Sequence, residues 1–96
     1  MTHEKPFLIK KELVPSLSFP SEGLPMERQQ QINLAFMLET AVKLGNSYKE
    51  EIRIMFRDDI GLKMVETSVW QASQKHIVLK GGIIIPFNRV ESVQLQ

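Results

Sequence analysis

"HIVLKGGIIIPF", His76 to Phe87, decides how this chain folds. Two apolar runs rich in β-branched residues flank Gly81 and Gly82, and glycine is the residue that accepts positive φ at both centres of a two-residue turn. The pattern predicts an antiparallel hairpin in which "HIVLK" returns as "IIIPF". A phosphate cradle needs several glycines, or a placed lysine, leading from strand into helix. These two glycines lead from strand to strand. In the returning run Ile83, Ile85 and Phe87 share one face, and Ile84 and Pro86 share the other. A strand with one wet face alternates apolar and polar residues, so the face of Ile84 and Pro86 needs cover from the helix, the N-terminal arm or another chain. Pro86 cannot donate to a ladder, which predicts an edge or an irregular pairing there.

On the C-terminal side, Asn88 and Arg89 interrupt the pattern before "VESVQL" closes it. On the N-terminal side, Ser73 to Lys75 read as a turn. Before it, "LKMVETSVWQAS" places Val65, Thr67 and Val69 on one face and Met64, Glu66, Ser68 and Trp70 on the other. That run is long for a single strand and is expected to bend. "DDIG", Asp58 to Gly61, is a tight connection. "EIRIMFR" alternates with Ile52, Ile54 and Phe56 one way and Arg53, Met55 and Arg57 the other. Further back, "MERQQQINLAFMLETAVKL" over residues 26–44 lacks proline and glycine. Pro25 suits its first turn, Glu27 meets its positive end, and Lys43 followed by Gly45 predicts its stop. Leu34, Met37, Leu38, Ala41 and Val42 form one apolar face, while Ile32, Ala35 and Phe36 widen it. That width means either a deeply buried helix or a flank that meets a partner subunit, with burial preferred.

Residues 1–25 hold Pro6, Pro15, Pro20 and Pro25, a spacing that forbids a regular helix, yet Phe7, Leu8, Ile9, Leu13, Val14, Leu17 and Phe19 are scattered among them. This is either an extended arm lying on the domain or a neighbour, or a partly disordered tail. The expected class is α+β: an extended proline-containing arm at 1–25, then one domain at 26–96 with a helix at about 26–44. About five antiparallel strands follow, forming a small bent sheet or a barrel.

A helix followed by strands in this rhythm resembles the Sm-like, SH3-like small barrels of RNA-associated proteins and of the Rho-binding antiterminator. The resemblance covers roughly residues 26–96 and is one of rhythm. The Sm signature of an aspartate and an asparagine with flanking glycine has no counterpart here, so no binding residue is carried over. "VETSVW", "IVLKGG" and "IPFNRVESV" together also resemble an uncharacterised family of short bacterial proteins.

Ninety-six residues, 43% hydrophobic and 24% charged, fit one small globular domain. Twelve basic residues against eleven acidic ones leave little of the basic excess that phosphate neutralisation normally requires. The absence of cysteine excludes disulfides, thiolate metal sites and cysteine nucleophiles. No leader-like run and no apolar stretch near the roughly 18 residues of a spanning helix is present, so a cytoplasmic location and no membrane contact are expected.

Catalytic chemistry finds few candidates. His3 and His76 are the only histidines, and neither has a second ligand or triad partner at a recognisable spacing. Glu50-Glu51 and Asp58-Asp59 read as solubilising and turn-forming acids, the second pair open to water. No catalytic, cofactor-binding or metal-ligating residue is assigned, and no enzyme or cofactor is expected. Arg53, Arg57, Glu66 and Trp70 form a candidate shallow groove, with Lys63 and Tyr48 as further nucleic-acid contacts. The competing readings are Glu66 as an exposed cross-strand partner of Arg53 or Arg57, and Trp70 as a core residue beneath the helix, the preferred fate. Phe36, Ile84 and Pro86 are the candidate partner interface.

Three functions follow in order of support. The first is a non-enzymatic module, a homo-oligomer acting through protein contacts. The second is an Sm-like RNA- or DNA-binding regulator. The third, small-molecule binding or catalysis, needs a concave pocket that the sequence does not reveal.

Overall fold

The structure is a computed structural model that describes residues 4–95. Its one α-helix, α1 (Arg28–Tyr48), begins with a reciprocal cap. The Glu27 side chain accepts a backbone N–H of the first turn, and Gln30 Oε1 accepts the Glu27 N–H at 3.0 Å. The helix does not stop at Gly45 as expected. It runs to Tyr48, and Lys49, at φ 57° and ψ 30°, ends it with its N–H on the Gly45 carbonyl. Gly45 instead lets the helix approach the sheet. A Cβ there would lie 2.8 Å from the Val69 carbonyl oxygen.

The expected bent sheet is present and its strands do not close a barrel. β1 (Phe7–Leu8), β2 (Ile52–Arg57), β3 (Leu62–Thr67) and β7 (Val90–Gln94) form one sheet in the order β1-β3-β2-β7. β4 (Val69–Ala72), β5 (His76–Leu79) and β6 (Ile83–Pro86) form the second in sequence order. The predicted long strand is β3 plus β4, broken at Ser68. Ser68 Oγ donates to the Glu50 carbonyl at 2.9 Å, and the Ser68 carbonyl accepts the Lys80 N–H at 2.9 Å. The bend overturns the simple alternation: Thr67, Ser68 and Val69 are all buried, so Ser68 does not share an open face with Glu66. Gly81 and Gly82 turn the predicted β5–β6 hairpin at φ 92° and 80°, but Leu79 pairs with Ile83, so Lys80 joins them in a three-residue loop in place of the two-residue turn.

Between the two sheets and α1 lies one core. Leu38, Ile54, Phe56, Val65, Val69, Ile77, Leu79 and Ile85 are each fully buried. The N-terminal segment completes it. Leu8 lies beside Met64 in a short parallel ladder, and the Ile9 N–H donates to the Met64 carbonyl at 2.9 Å. A 3₁₀ helix (Lys11–Ser16) then carries Val14 into the core, and the Phe19 ring meets Phe56 with centroids 5.8 Å apart. Burying a valine this completely contributes on the order of 1.5–3 kcal/mol, which fixes the arm on its own domain. Val14 belongs to the same core as the helix and strands, and Ile9, Leu17 and Phe19 pack against it.

The arm's far end is tied by Arg89. Its guanidinium donates to the carbonyls of Glu22 at 2.7 Å, Arg57 at 3.0 Å and Asp58 at 3.4 Å. Asn88 adds a bond from its side-chain amide to the Ser21 carbonyl at 3.2 Å. The Asn88–Arg89 interruption therefore joins the arm, the β2–β3 turn and β7.

Candidate interaction site

The candidate groove of Arg53, Arg57, Glu66 and Trp70 does not form as one site. Arg53 and Glu66 are opposed in the β2–β3 register and pair at 3.1 Å, both partly exposed. That is the cross-strand arrangement. Arg57 is held between Glu91 at 2.7 Å and Glu4 at 2.8 Å, and these two carboxylates hold its guanidinium well above its ordinary pKa. Trp70 lies on the other sheet. Both arginines thus have carboxylates on them, and neither sits beside an aromatic platform.

Lys63 is likewise committed. Its ammonium sits 3.1 Å from each Asp58 carboxylate oxygen. Asp58 itself is buried, not open to water as its place in a turn suggests. Its Oδ1 accepts the N–H groups of Ile60 and Gly61 at 3.0 and 2.9 Å, closing the turn, whereas Oδ2 has only the ammonium. Desolvation by burial pushes this carboxyl up, but the Gly61 and Ile60 N–H groups and Lys63 outweigh it, and its pKa lies below the ordinary value. Asp59 is exposed. Asp58 is thus a turn lock closed to solvent. Among the described residues no group of three or more His, Cys, Asp or Glu is placed to hold a metal.

A different set comes together on the outer face of β4–β5–β6. Ile84 stands directly opposite Val78, and Pro86 opposite His76. A bulge between Val69 and Gln71 turns Trp70 outward, where it lines one cleft with Val78, His76 and Val42. Trp70 is 43% exposed and Ile84 52%, so the core reading of Trp70 is overturned and neither helix nor arm covers Ile84. Nothing charged stands on these strands, which read VWQA, HIVL and IIIP. The outer face of the other sheet, by contrast, is laced with ion pairs.

β6 is also an edge, as Pro86 predicted. The Phe87 N–H reaches the Lys75 carbonyl at 3.0 Å, so by alternation Ile83 and Ile85 bond β5, while the N–H and carbonyl of Ile84 point to the free side. Free edges in monomeric proteins normally carry charge, a bulge or a cover. Here the 3₁₀ helix (Lys11–Ser16) packs against β6, while the strand itself carries isoleucine and proline.

Phe36 does not join this face. It is 70% exposed on the solvent side of α1, one turn from Ile32 at 51%, so the preferred reading of a helix buried all round is corrected. Sequence reasoning missed Val78 as a member of the outer face, because a valine in a hairpin strand gives no sign of which side the core takes. It also missed Arg89. No family model matches the chain, and no curated protein or solved structure matches it.

Proposed function

We propose that this protein is a non-enzymatic interaction module that associates with a second copy of itself through the outer face of β4–β5–β6. The observation that carries the reading is the diagonal Trp70–Val78–Ile84, an apolar stripe exposed at Trp70 and Ile84 on three strands that bear no charge. An uncharged face is matched by another uncharged face, since a charged partner would leave its charges desolvated without a counterpart. The same face of a second copy meets that requirement about a two-fold axis, the commonest symmetry of soluble oligomers. Three strands of four residues each make a small contact, so the affinity expected is micromolar and the association reversible. The ion pairs on Arg53 and Arg57 weigh against a nucleic-acid surface on the other sheet.

Trp70 is the only tryptophan, so its emission reports directly on the face. On raising the concentration through the micromolar range, the emission maximum moves to shorter wavelength in the wild type and stays fixed in Ile84→Lys. A maximum independent of concentration in both proteins refutes the proposal. A shift that appears only when single-stranded RNA is added at low salt points instead to a nucleic-acid partner.

A further inference from the structure

A second concave feature lies away from the proposed interface, where the first half of α1 passes the end of the arm and the turn before β7. It is an open groove of about 520 Å³, within the roughly 300–1,000 Å³ of small-molecule sites. Met26, Ile32, Ala35, Phe87 and Val90 supply an apolar wall, and Gln31, Gln74 and Asn88 a polar one. Gln31 and Asn88 are each engaged through one N–H, whereas the Gln74 amide has no hydrogen bond among the described residues. The Gln31 amide donates to the Met26 carbonyl at 3.1 Å, and the Asn88 amide to Ser21. Arg28 is the one charged residue of the lining, and it makes no ion pair among the described residues.

We propose that this groove binds an amphiphile with a linear aliphatic tail and a single anionic head, the tail along Met26, Ala35 and Phe87 and the head on Arg28. The chemistry follows from the lining. The apolar stretch formed by Met26, Ala35 and Phe87 favours a tail that asks for no hydrogen bond. One unpaired guanidinium on the rim favours a carboxylate, which it can hold through two parallel hydrogen bonds.

Three probes with one tail and different heads test this: decanoate, 1-decanol and decyltrimethylammonium, each titrated into the intact chain below its micelle concentration. The readout is the methionine methyl region of the NMR spectrum. Decanoate shifts the Met26 signal and binds about tenfold more tightly than 1-decanol, the margin of a charged hydrogen bond. Decyltrimethylammonium binds no better than the alcohol. Arg28→Gln brings decanoate down to the affinity of 1-decanol without changing the latter. Ala35→Trp fills the groove and removes binding of all three. Should that variant not fold, Ile32→Gln, at a half-exposed position, lowers the affinity for decanoate and 1-decanol alike by about threefold. Equal affinity of decanoate and 1-decanol in the wild type overturns the proposal. So does a response at Met55 and Met64 in place of Met26, because neither of those two lines the groove.

Discussion

Replacing Gly45 by alanine sets two physical effects of opposite sign against each other. Within a helix, alanine is favoured over glycine by about 1 kcal/mol, so propensity alone predicts a more stable protein. The packing predicts the reverse. The new Cβ would meet the Val69 carbonyl oxygen at 2.8 Å and the Val69 nitrogen at 3.4 Å, whereas ordinary carbon–oxygen contacts begin near 3.3 Å. The obstacle is backbone. β4 is held by its ladder to β5, and the helix cannot retreat freely because Leu38 and Ala41 beside the glycine are fully packed. Interiors at crystalline density take up a few tenths of an ångström only at a cost of about 1–3 kcal/mol. Subtracting the propensity gain leaves Gly45→Ala destabilised by roughly 1 kcal/mol, or a Tm lower by about 4–8 °C. Urea unfolding followed by far-UV circular dichroism measures it, with exposed Ser47→Ala as the control that shows propensity alone. If Gly45→Ala raises Tm as the control does, the close approach of α1 to β4 is wrong.

Three further outcomes follow from the same contacts. Arg89→Met removes the donors that three carbonyls share and destabilises the fold by about 3 kcal/mol; limited proteolysis then cuts near Glu22 and Gly23 well before it cuts the strands. The Asp58 carboxyl is lowered in the folded state, so its stabilising share is complete above the unfolded value of about 3.9 and is lost as pH falls from there through the lower folded value. The urea midpoint of the wild type therefore drops more steeply below about pH 4 than that of Asp58→Asn. Ile84→Lys leaves the monomer within about 1 kcal/mol of wild type, because half of the side chain is already in water. The same substitution removes about 1 kcal/mol of burial from each copy on association, so the dimer dissociation constant measured by analytical ultracentrifugation rises at least about thirtyfold.

Much of the architecture was legible because it rests on local signals. Period-two alternation named Ile52, Ile54 and Phe56 as inward residues, and all three are buried. The glycine pair named the hairpin, and Pro86 named an edge. What misled is equally specific. Gly45 carries the signal of a helix stop, but its lack of a side chain is used for a contact with Val69, which lies 24 residues away. A tryptophan mid-strand is expected inside, and a bulge at Trp70 turned it out. Asp58 in a turn is expected in water, yet it is buried, with Lys63 on its carboxylate and Arg89 of a distant strand end on its carbonyl. The candidate site was half legible. Ile84 and Pro86 were placed by the surplus of apolar residues over one core face, while the split of Trp70 from the two arginines depends on the bend at Ser68. That bend moves β4, β5 and β6 to a second sheet; the length of the run announces a bend, but no residue type in "ETSVW" places it.

The central claim is that the Trp70–Val78–Ile84 face joins two copies. Sedimentation equilibrium from low to high micromolar concentration tests it most directly, on a chain of 11.1 kDa. The mass climbs toward twice that value in the wild type and stays at the single-chain value for Ile84→Lys at the same concentrations. A wild-type mass that remains that of one chain throughout, with Trp70 exposed at every concentration, contradicts it.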